Sequence, residues 1–405
     1  MYNNLLYQNV ASLLSSDILN GNLPGALLFS GLHGSGKLTC ALETARILSC
    51  SGEKKGHWLC SCPSCLQHKA LVSNNLLLAG PKDCTPEISA ASRAFLNAVM
   101  NSSSHLTAAR YLFVRSVRKL TLRFSPILLE GDEKLSKIAV LMNSLDEELE
   151  PIDFPHELPD FQAVQKSVEK IIPLCEKLES DFLYDSIPVA QIRNAASWAR
   201  LKSVSGKKTI IIENADRMLE SVRNALLKIL EEPPEDTVFI LTTSRRNAVM
   251  PTILSRVRTY AFMERNLSQQ KEVISRVFHN ENFNGTIDDF LLTFLPVAPD
   301  KIHSFSEEFY SLIADSKIPD SARIIKDCGN FEPRIIFKIF LSGIQRRSKK
   351  LLSFPAGTVA AKEITDSLQQ CWNNVSVYNQ SVKSALEILV RDMSKINKLH
   401  GNILK

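Results

Sequence analysis

Residues 31–39, GLHGSGKLT, have the G-x4-G-K spacing of a loop that holds phosphate. Gly31, Gly34 and Gly36 let the backbone turn tightly and aim its N–H groups at phosphate oxygens, with Ser35 inside the same cradle. Lys37 adds a point charge for the β- and γ-phosphates, and the N-terminus of the following helix adds its dipole. The next position departs from that logic. A hydroxyl there would coordinate Mg²⁺, but the residue is Leu38, and Thr39 lies about 100° further round the helix, so it cannot simply stand in. The loop reads as a site for ATP or ADP with an impaired hold on Mg²⁺.

A second phosphate-site position shows a related change. The apolar run Ile210–Ile212 should lead into an Asp that holds Mg²⁺ and a Glu that polarises the attacking water, and the chain has Glu213 and Asn214. Glu213 keeps a carboxylate, whereas the Asn214 amide cannot take up a proton. Asp216 is the nearest alternative base, set against the commoner role of such a residue in a turn or cap. Further on, Arg256 follows a strand and a loop. There an always-charged guanidinium could point at a neighbour's phosphates, with a surface salt bridge as the plainer reading.

Cys50, Cys60, Cys62 and Cys65 give C-x9-C-x-C-x2-C, which suits a closed, structural tetrahedral Zn²⁺ site, with His57 or His68 as substitutes for one thiolate. Cys40, Cys84, Cys175, Cys328 and Cys371 are scattered and read as small core residues.

These groups need a frame to hold them. With 405 residues, 44% hydrophobic and 22% charged, two or three folded domains are expected. A net charge of +5 permits contact with nucleic acid without arguing for it. The opening MYNNLLYQNVASLL lacks a cationic start before an apolar run and no stretch is long enough to span a bilayer, so a cytoplasmic protein without membrane contact is expected. Residues 1–20 read as a helix, with Leu5, Val10, Leu13 and Leu14 on one side. Apolar Ala26–Phe29, then glycines, then LTCALETARIL read as strand, loop and helix.

From about residue 91 to 184 the pattern turns helical and charged, like an inserted subdomain or a partly mobile excursion. It carries Arg110, Arg115, Arg118, Lys119 and Arg123 close together, then an acidic, proline-containing stretch at Asp146–Asp160. A solvated helix face is the plainer reading of the basic cluster, and DNA or a partner the sharper one. Strands at Thr209–Ile212 and Thr237–Thr242 then alternate with helices at Val189–Leu201 and Ser221–Leu230, which implies a parallel sheet covered on both faces. After Asn266 only helical periodicity remains.

Residues 210–256 resemble the bacterial clamp-loader AAA+ subunits of DNA polymerase III. NALLKILEEPP (Asn224–Pro234), the phosphate loop followed by a four-cysteine module, and PTILSR (251–256) carry the likeness. The closer likeness is to the delta-prime group, through ENADRM (Glu213–Met218) and the tail Asn373–Val390. The resemblance covers residues 1–90 and 187–262 well, and the span 91–184 lies outside the usual pattern. It implies a RecA-like α/β AAA+ domain with a parallel sheet over 1–265, with a zinc module at 50–65 after the phosphate-loop helix. A small helical lid over 266–330 and an all-helical collar over 331–405 would follow, the collar assembling a hetero-pentamer.

It further implies that Arg256 is an arginine finger acting in trans, its usual Ser-Arg-Cys ending here in Val257, and that Thr242, Thr243 and Ser244 occupy the sensor-1 region. Arg334 is the candidate for sensor 2. The implied partners are gamma/tau ATPase and delta subunits, the sliding clamp and primed DNA, with the chain itself non-hydrolysing. Two other readings stand beside it. The intact glycines and Lys37 suit an active gamma/tau-type ATPase, and the cysteines suit a zinc-dependent DNA-binding module.

Overall fold

Short runs of Leu, Ile, Val and Phe bounded by turn residues build the centre of the chain. In the computed structural model, which describes residues 1–80, 84–184, 186–203, 206–353, 355–376, 378 and 380–404, they form one sheet. Its strands are β1 (Ala26–Ser30), β2 (Leu76–Ala79), β3 (Lys208–Ile212), β4 (Thr237–Thr243) and β5 (Arg258–Ala261). All neighbours are parallel, in the order β2-β3-β4-β1-β5. Every residue of β3 and β4 is buried, as a parallel sheet covered on both faces requires.

Helices α1 (Val10–Leu19), α2 (Lys37–Ser49) and α3 (Pro63–Ala70) lie along the first part of the chain. Between β2 and β3 come α4 (Thr85–Met100), α5 (Leu106–Thr121), α6 (Leu135–Leu149), α7 (Phe161–Phe182) and α8 (Val189–Arg200). Helices α9 (Glu220–Glu231), α10 (Pro251–Leu254) and α11 (Leu267–Phe278) interleave with and follow the remaining strands. Strand alternation divides the core into two layers. Leu28, Ile210, Ile212, Phe239 and Leu241 share a cluster with Ile192 of α8 and Leu226 of α9. Leu27, Phe29, Ile211, Val238 and Ile240 share the other with Leu14 of α1 and Ala41 of α2.

The chain divides into two compact units, Met1–Phe290 and Leu291–Lys405, with the division inside α12 (Ile287–Leu292). The expected boundaries at 265/266 and 330/331 lie on either side of that division. In the second unit α13 (Pro299–Ala314), α14 (Ser321–Asp327), α15 (Ile335–Ser348), α16 (Pro355–Ser376) and α17 (Val382–Leu399) share one core, in which Phe309, Phe331, Phe337 and Phe340 meet edge to face. That core runs through residue 330, and Arg334 pairs with Glu332 at 3.2 Å.

Three readings need correction. The N-terminal helix starts only at Val10; the residues before it form turns in which Tyr2 takes a left-handed φ of 58° and its hydroxyl meets Thr44 Oγ1 at 2.9 Å. Leu13 is exposed, while Leu5, Val10 and Leu14 are buried. The inserted helices begin at Thr85 rather than 91 and have their own core, including Phe95, Phe113, Val117, Ile152, Val168 and Ile171. The acidic stretch runs through the end of α6 and a 3-10 turn at Glu150–Ile152, with Leu149 and Ile152 buried in that core.

The basic cluster of α5 is neither a solvated face nor an open cationic patch. Arg110 Nε donates to Ile152 O at 2.9 Å and its Nη2 to His156 O at 2.7 Å. Arg115 donates to His68 O at 3.3 Å and to Lys69 O, and Arg118 to Ala70 O at 2.9 Å and to Asp153. Lys119 pairs with Glu87, and Arg123 with Glu213. Carbonyls at the C-terminus of α3 thus receive arginine donors from α5, that of His68 in addition to the Leu71 N–H.

Candidate functional site

The phosphate loop sits where β1 ends and α2 begins. Gly36 is the residue before α2 and has φ +91°, a left-handed conformation that a side chain there could not share with Leu5 Cδ1 at 3.0 Å and Arg265 Nη2 at 3.3 Å from its Cβ position. Lys37 Nζ donates to the carbonyls of Gly31 and Leu32 at 2.6 Å, and lies 3.4 Å from Ser35 Oγ. Burial draws the Lys37 pKa down to about 8, against the carboxylates of Glu213, Asp216 and Asp288. Gly31, Gly34, Ser35, Gly36 and Lys37 are therefore gathered in one turn. Leu38 packs against the α1–α2 core layer, so no hydroxyl replaces its side chain at the loop.

One residue the sequence reading missed braces this turn. Arg265 is buried, donates to Gly34 O at 2.6 Å and to Leu6 O at 2.9 Å, and so ties the loop to the N-terminal segment. On the outer side His33 Nδ1 meets Asp288 Oδ1 at 2.5 Å.

Glu213 and Asn214 follow β3 directly. Glu213 N–H extends the ladder to Ala79 O at 2.9 Å, and its carboxylate pairs with Arg123. Asn214 holds φ 53°, a conformation asparagine tolerates, and its N–H reaches Thr242 Oγ1 at 3.4 Å. Asp216 is almost wholly enclosed. Thr243 Oγ1 donates to one of its oxygens at 2.7 Å and Arg245 Nε to the other at 3.1 Å. With both oxygens engaged, Asp216 takes the turn-stabilising role rather than that of a replacement base, and Thr243 is its partner. The donor set does not fit Mg²⁺, which wants carboxylate or hydroxyl oxygens. Leu38 and Asn214 offer neither, and the carboxylate of Glu213 is already held by a cation.

Arg256 lies just past α10. Its Nη1 donates to Thr252 O at 2.9 Å and to Ser255 Oγ at 3.4 Å, and its Nη2 meets the exposed Glu231 at 3.2 Å.

The four cysteines converge. The sulfurs of Cys50, Cys60, Cys62 and Cys65 all lie within 4.8 Å of one another, and Cys50 Sγ is 3.8 Å from Cys60 Sγ. A tetrahedron of sulfurs about 2.3 Å from a zinc ion has edges of about 3.8 Å, so the set can hold such an ion. Gly52 permits this closeness, because a Cβ there would lie 2.5 Å from Cys60 Sγ. Although burial opposes it, the backbone of Cys65 and Ser51 brings the Cys62 thiol down to about 6.

Beneath the cluster Arg46 is buried, forked onto Glu43 at 2.6 and 2.9 Å, and donates to Cys65 Sγ at 3.1 Å and Gly56 O at 2.8 Å. The sequence carries a signal for it, an i,i+3 Glu–Arg pair inside a helix whose residues from Cys40 to Ser49 are all buried.

The proposed histidine substitutes are not in the cluster. His68 turns its Nε2 to Ser73 Oγ at 3.2 Å instead. Burial first, then the charges of Arg46 and Arg115, hold its pKa down to about 4. The unfolded chain takes up that proton near 6.5 and the folded chain only near 4, so this contribution to stability is intact above 6.5 and falls as pH drops. Unfolding free energies from urea titrations at pH 7 and 5 should differ by about 2 kcal/mol through this residue. A His68→Asn chain is expected to lose that difference, and an unchanged pH dependence would contradict the assignment.

Among the described residues no helix is long and apolar enough to cross a membrane. Residues 7–138 and 155–266 match the family described as DNA polymerase III, delta subunit. Only 139–154 falls between the matched stretches, which corrects the expectation that 91–184 as a whole lies outside the family pattern. The chain is 45% identical over 58 residues to the delta-prime subunit of DNA polymerase III from Bacillus subtilis, covering 14% of this chain and 18% of that one. It is 36% identical over 80 residues to the delta-prime subunit of Pseudomonas aeruginosa, covering 20% and 24%. It is 32% identical over 99 residues to the gamma/tau subunit of Mycobacterium tuberculosis, covering 24% and 16%. The matched segments thus span less than a third of each of these relatives. A solved DNA polymerase III gamma subunit-related protein from Thermotoga maritima aligns at 19% identity over 52% of this chain and 81% of its own, with a TM-score of 0.25.

Proposed function

We infer, from the premise that this chain belongs to the DNA polymerase III delta-subunit family, that it serves as a delta-prime-like subunit of the replicative clamp loader. In this reading it completes a hetero-pentameric ring with gamma/tau and delta subunits and helps place the sliding clamp on primed DNA. Residues 266–330 act as the lid, 331–405 as the assembly collar, and the four cysteines hold a structural zinc ion. The phosphate loop binds ATP or ADP without hydrolysing it, and Arg256 is offered to the ATP of a neighbour.

The observation that carries this reading is the set of groups where hydrolysis would need a metal and a base. Leu38 is partly buried and packs against the core, Glu213 is paired with Arg123, and an amide stands at 214. None of the three can hold Mg²⁺ and activate water together. The purified chain is therefore expected to show no ATP turnover above buffer. Asn214→Glu alone should not restore it, since the other two obstacles remain. Appreciable turnover by the unaltered chain would favour the gamma/tau-type ATPase reading instead.

A further inference from the structure

Arg123 sits at the seam between the inserted helices and the sheet. The residue before it, Leu122, packs on the α1–α2 layer of the sheet core, and the residue after it, Phe124, is buried in the core of the insertion. Its backbone is therefore held from both sides. The guanidinium is 6% exposed and the Glu213 carboxylate that it grips is 16% exposed. A further donor goes to Lys119 O. Gly80, which follows β2, leaves room for the pair, because a Cβ there would lie 2.4 Å from Glu213 Oε2 and 3.0 Å from Arg123 Nε.

We propose that Arg123 is a built-in cation that takes the place of Mg²⁺ at the phosphate loop, so that the site accepts a nucleoside polyphosphate without a divalent ion. This rests on the reading above that the loop binds nucleotide. Lys37 and Arg123 both bear on Glu213, one through its field and the other by direct contact. A divalent ion seeking that carboxylate meets a fixed positive charge already in place, and like charges at such range repel strongly in a partly buried site. A polyphosphate meets the reverse situation: loop N–H groups, the N-terminus of α2 and Lys37, with no metal needed to offset a free carboxylate. The charge that a divalent ion would supply is thus provided by a side chain delivered from the insertion, which makes the insertion part of the nucleotide site.

The test is the affinity of the full chain for a fluorescent ADP or ATP analogue, with millimolar Mg²⁺ and in buffer freed of divalent ions before the protein is added, so that no chelator reaches the cysteine cluster. The unaltered chain should bind equally in the two buffers, within about twofold. Arg123→Met, which keeps an unbranched apolar stem and removes the guanidinium and its charge, should bind at least about tenfold tighter with Mg²⁺ than without. Glu213→Gln should leave the ratio near one, and Arg123→Gln, polar but uncharged, is expected to show the same preference for Mg²⁺ as Arg123→Met and carries the test if circular dichroism shows that Arg123→Met is unfolded.

Tightening of the unaltered chain by about tenfold with Mg²⁺, lost in Glu213→Gln, would overturn the proposal. A folded Arg123→Met chain that stays indifferent to Mg²⁺ overturns the assignment to Arg123, and a chain that takes up no nucleotide in either buffer overturns it too. The ring-subunit reading is decided separately, by whether the chain assembles with clamp-loader ATPase subunits.

Discussion

Arg256→Ala, introduced into a ring assembled with clamp-loader ATPase subunits, should slow hydrolysis of the ATP at the one adjacent site by about a thousandfold while leaving assembly intact. The size of the effect follows from what a guanidinium supplies in trans. It carries a permanent charge and a planar fork that matches the equatorial oxygens of the transferring phosphoryl group, in a site that excludes water. The local geometry is suited to that task. Arg256 is anchored by its bonds to Thr252 O and Ser255 Oγ, yet among the described residues its outer nitrogen is engaged only by Glu231, whose side chain is 60% exposed. An exposed ion pair of this kind contributes about 1 kcal/mol or less, so exchanging Glu231 for a phosphate costs little. Arg256→Lys should fail to restore the rate, because an ammonium lacks the fork. The measurement is hydrolysis at that adjacent site, with the other ATPase sites of the ring inactivated, beside the sedimentation profile of the complex, and an unchanged rate in an intact ring would remove Arg256 from its proposed role.

The second large effect belongs to the cysteines. One zinc per chain is expected by elemental analysis, and Cys62→Ser should abolish it and lower folding stability by about 5 kcal/mol or more. Structural zinc sites in isolated fingers contribute about 10–16 kcal/mol, and a smaller loss is expected here because the cysteines adjoin a domain with a hydrophobic core of its own. The loss should spread. Arg46 donates to Cys65 and to Gly56 O and lies 5.4 Å from the Trp58 ring, while Lys69 joins Cys60 O and the same ring. Hydrogen exchange should therefore accelerate across 50–70 and at the α3–α5 contact, with β3 and β4 little changed. A DNA-binding zinc module would show a different pattern, losing DNA affinity while the fold stays intact. Full zinc content and an unshifted midpoint in Cys62→Ser would rule out the four-thiolate site.

Legibility followed the physics of range. β1, β3 and β4 could be read because they are buried on both faces and form unbroken apolar runs, and their strand–loop–helix context made the phosphate loop plain. β2 and β5 went unseen. LLLA is only 4 residues long and looks like any apolar fragment, and RTYA is an edge strand in which Tyr260 alone is buried. The cysteine cluster was readable because ligand spacing is local. The roles of Arg123, Arg265 and Arg46 were not, since each is defined by partners distant in the sequence or by backbone carbonyls, which spacing does not encode. The same blindness made α5 look like a cationic face. A string of arginines reads alike whether it faces water or caps the end of another helix.

The place of the inserted helices in the chain also bears on how the protein reaches its structure. Leu76 of β2 pairs with Thr209 of β3 across about 130 residues of chain. Closing a flexible loop costs about 0.6 kcal/mol more for each doubling of its length, so this rim of the sheet is the slowest to zip if the intervening chain stays open. The insertion has its own hydrophobic core and shortens the effective tether once it condenses. Glu179 near the end of α7 then accepts from Cys84 N at 3.1 Å and Thr85 N at 2.8 Å at the start of α4, bringing exit and entrance together. Formation of the insertion is thereby a kinetic precondition for registering the β2 edge, and mutations in its core should slow folding before they alter anything at the phosphate loop.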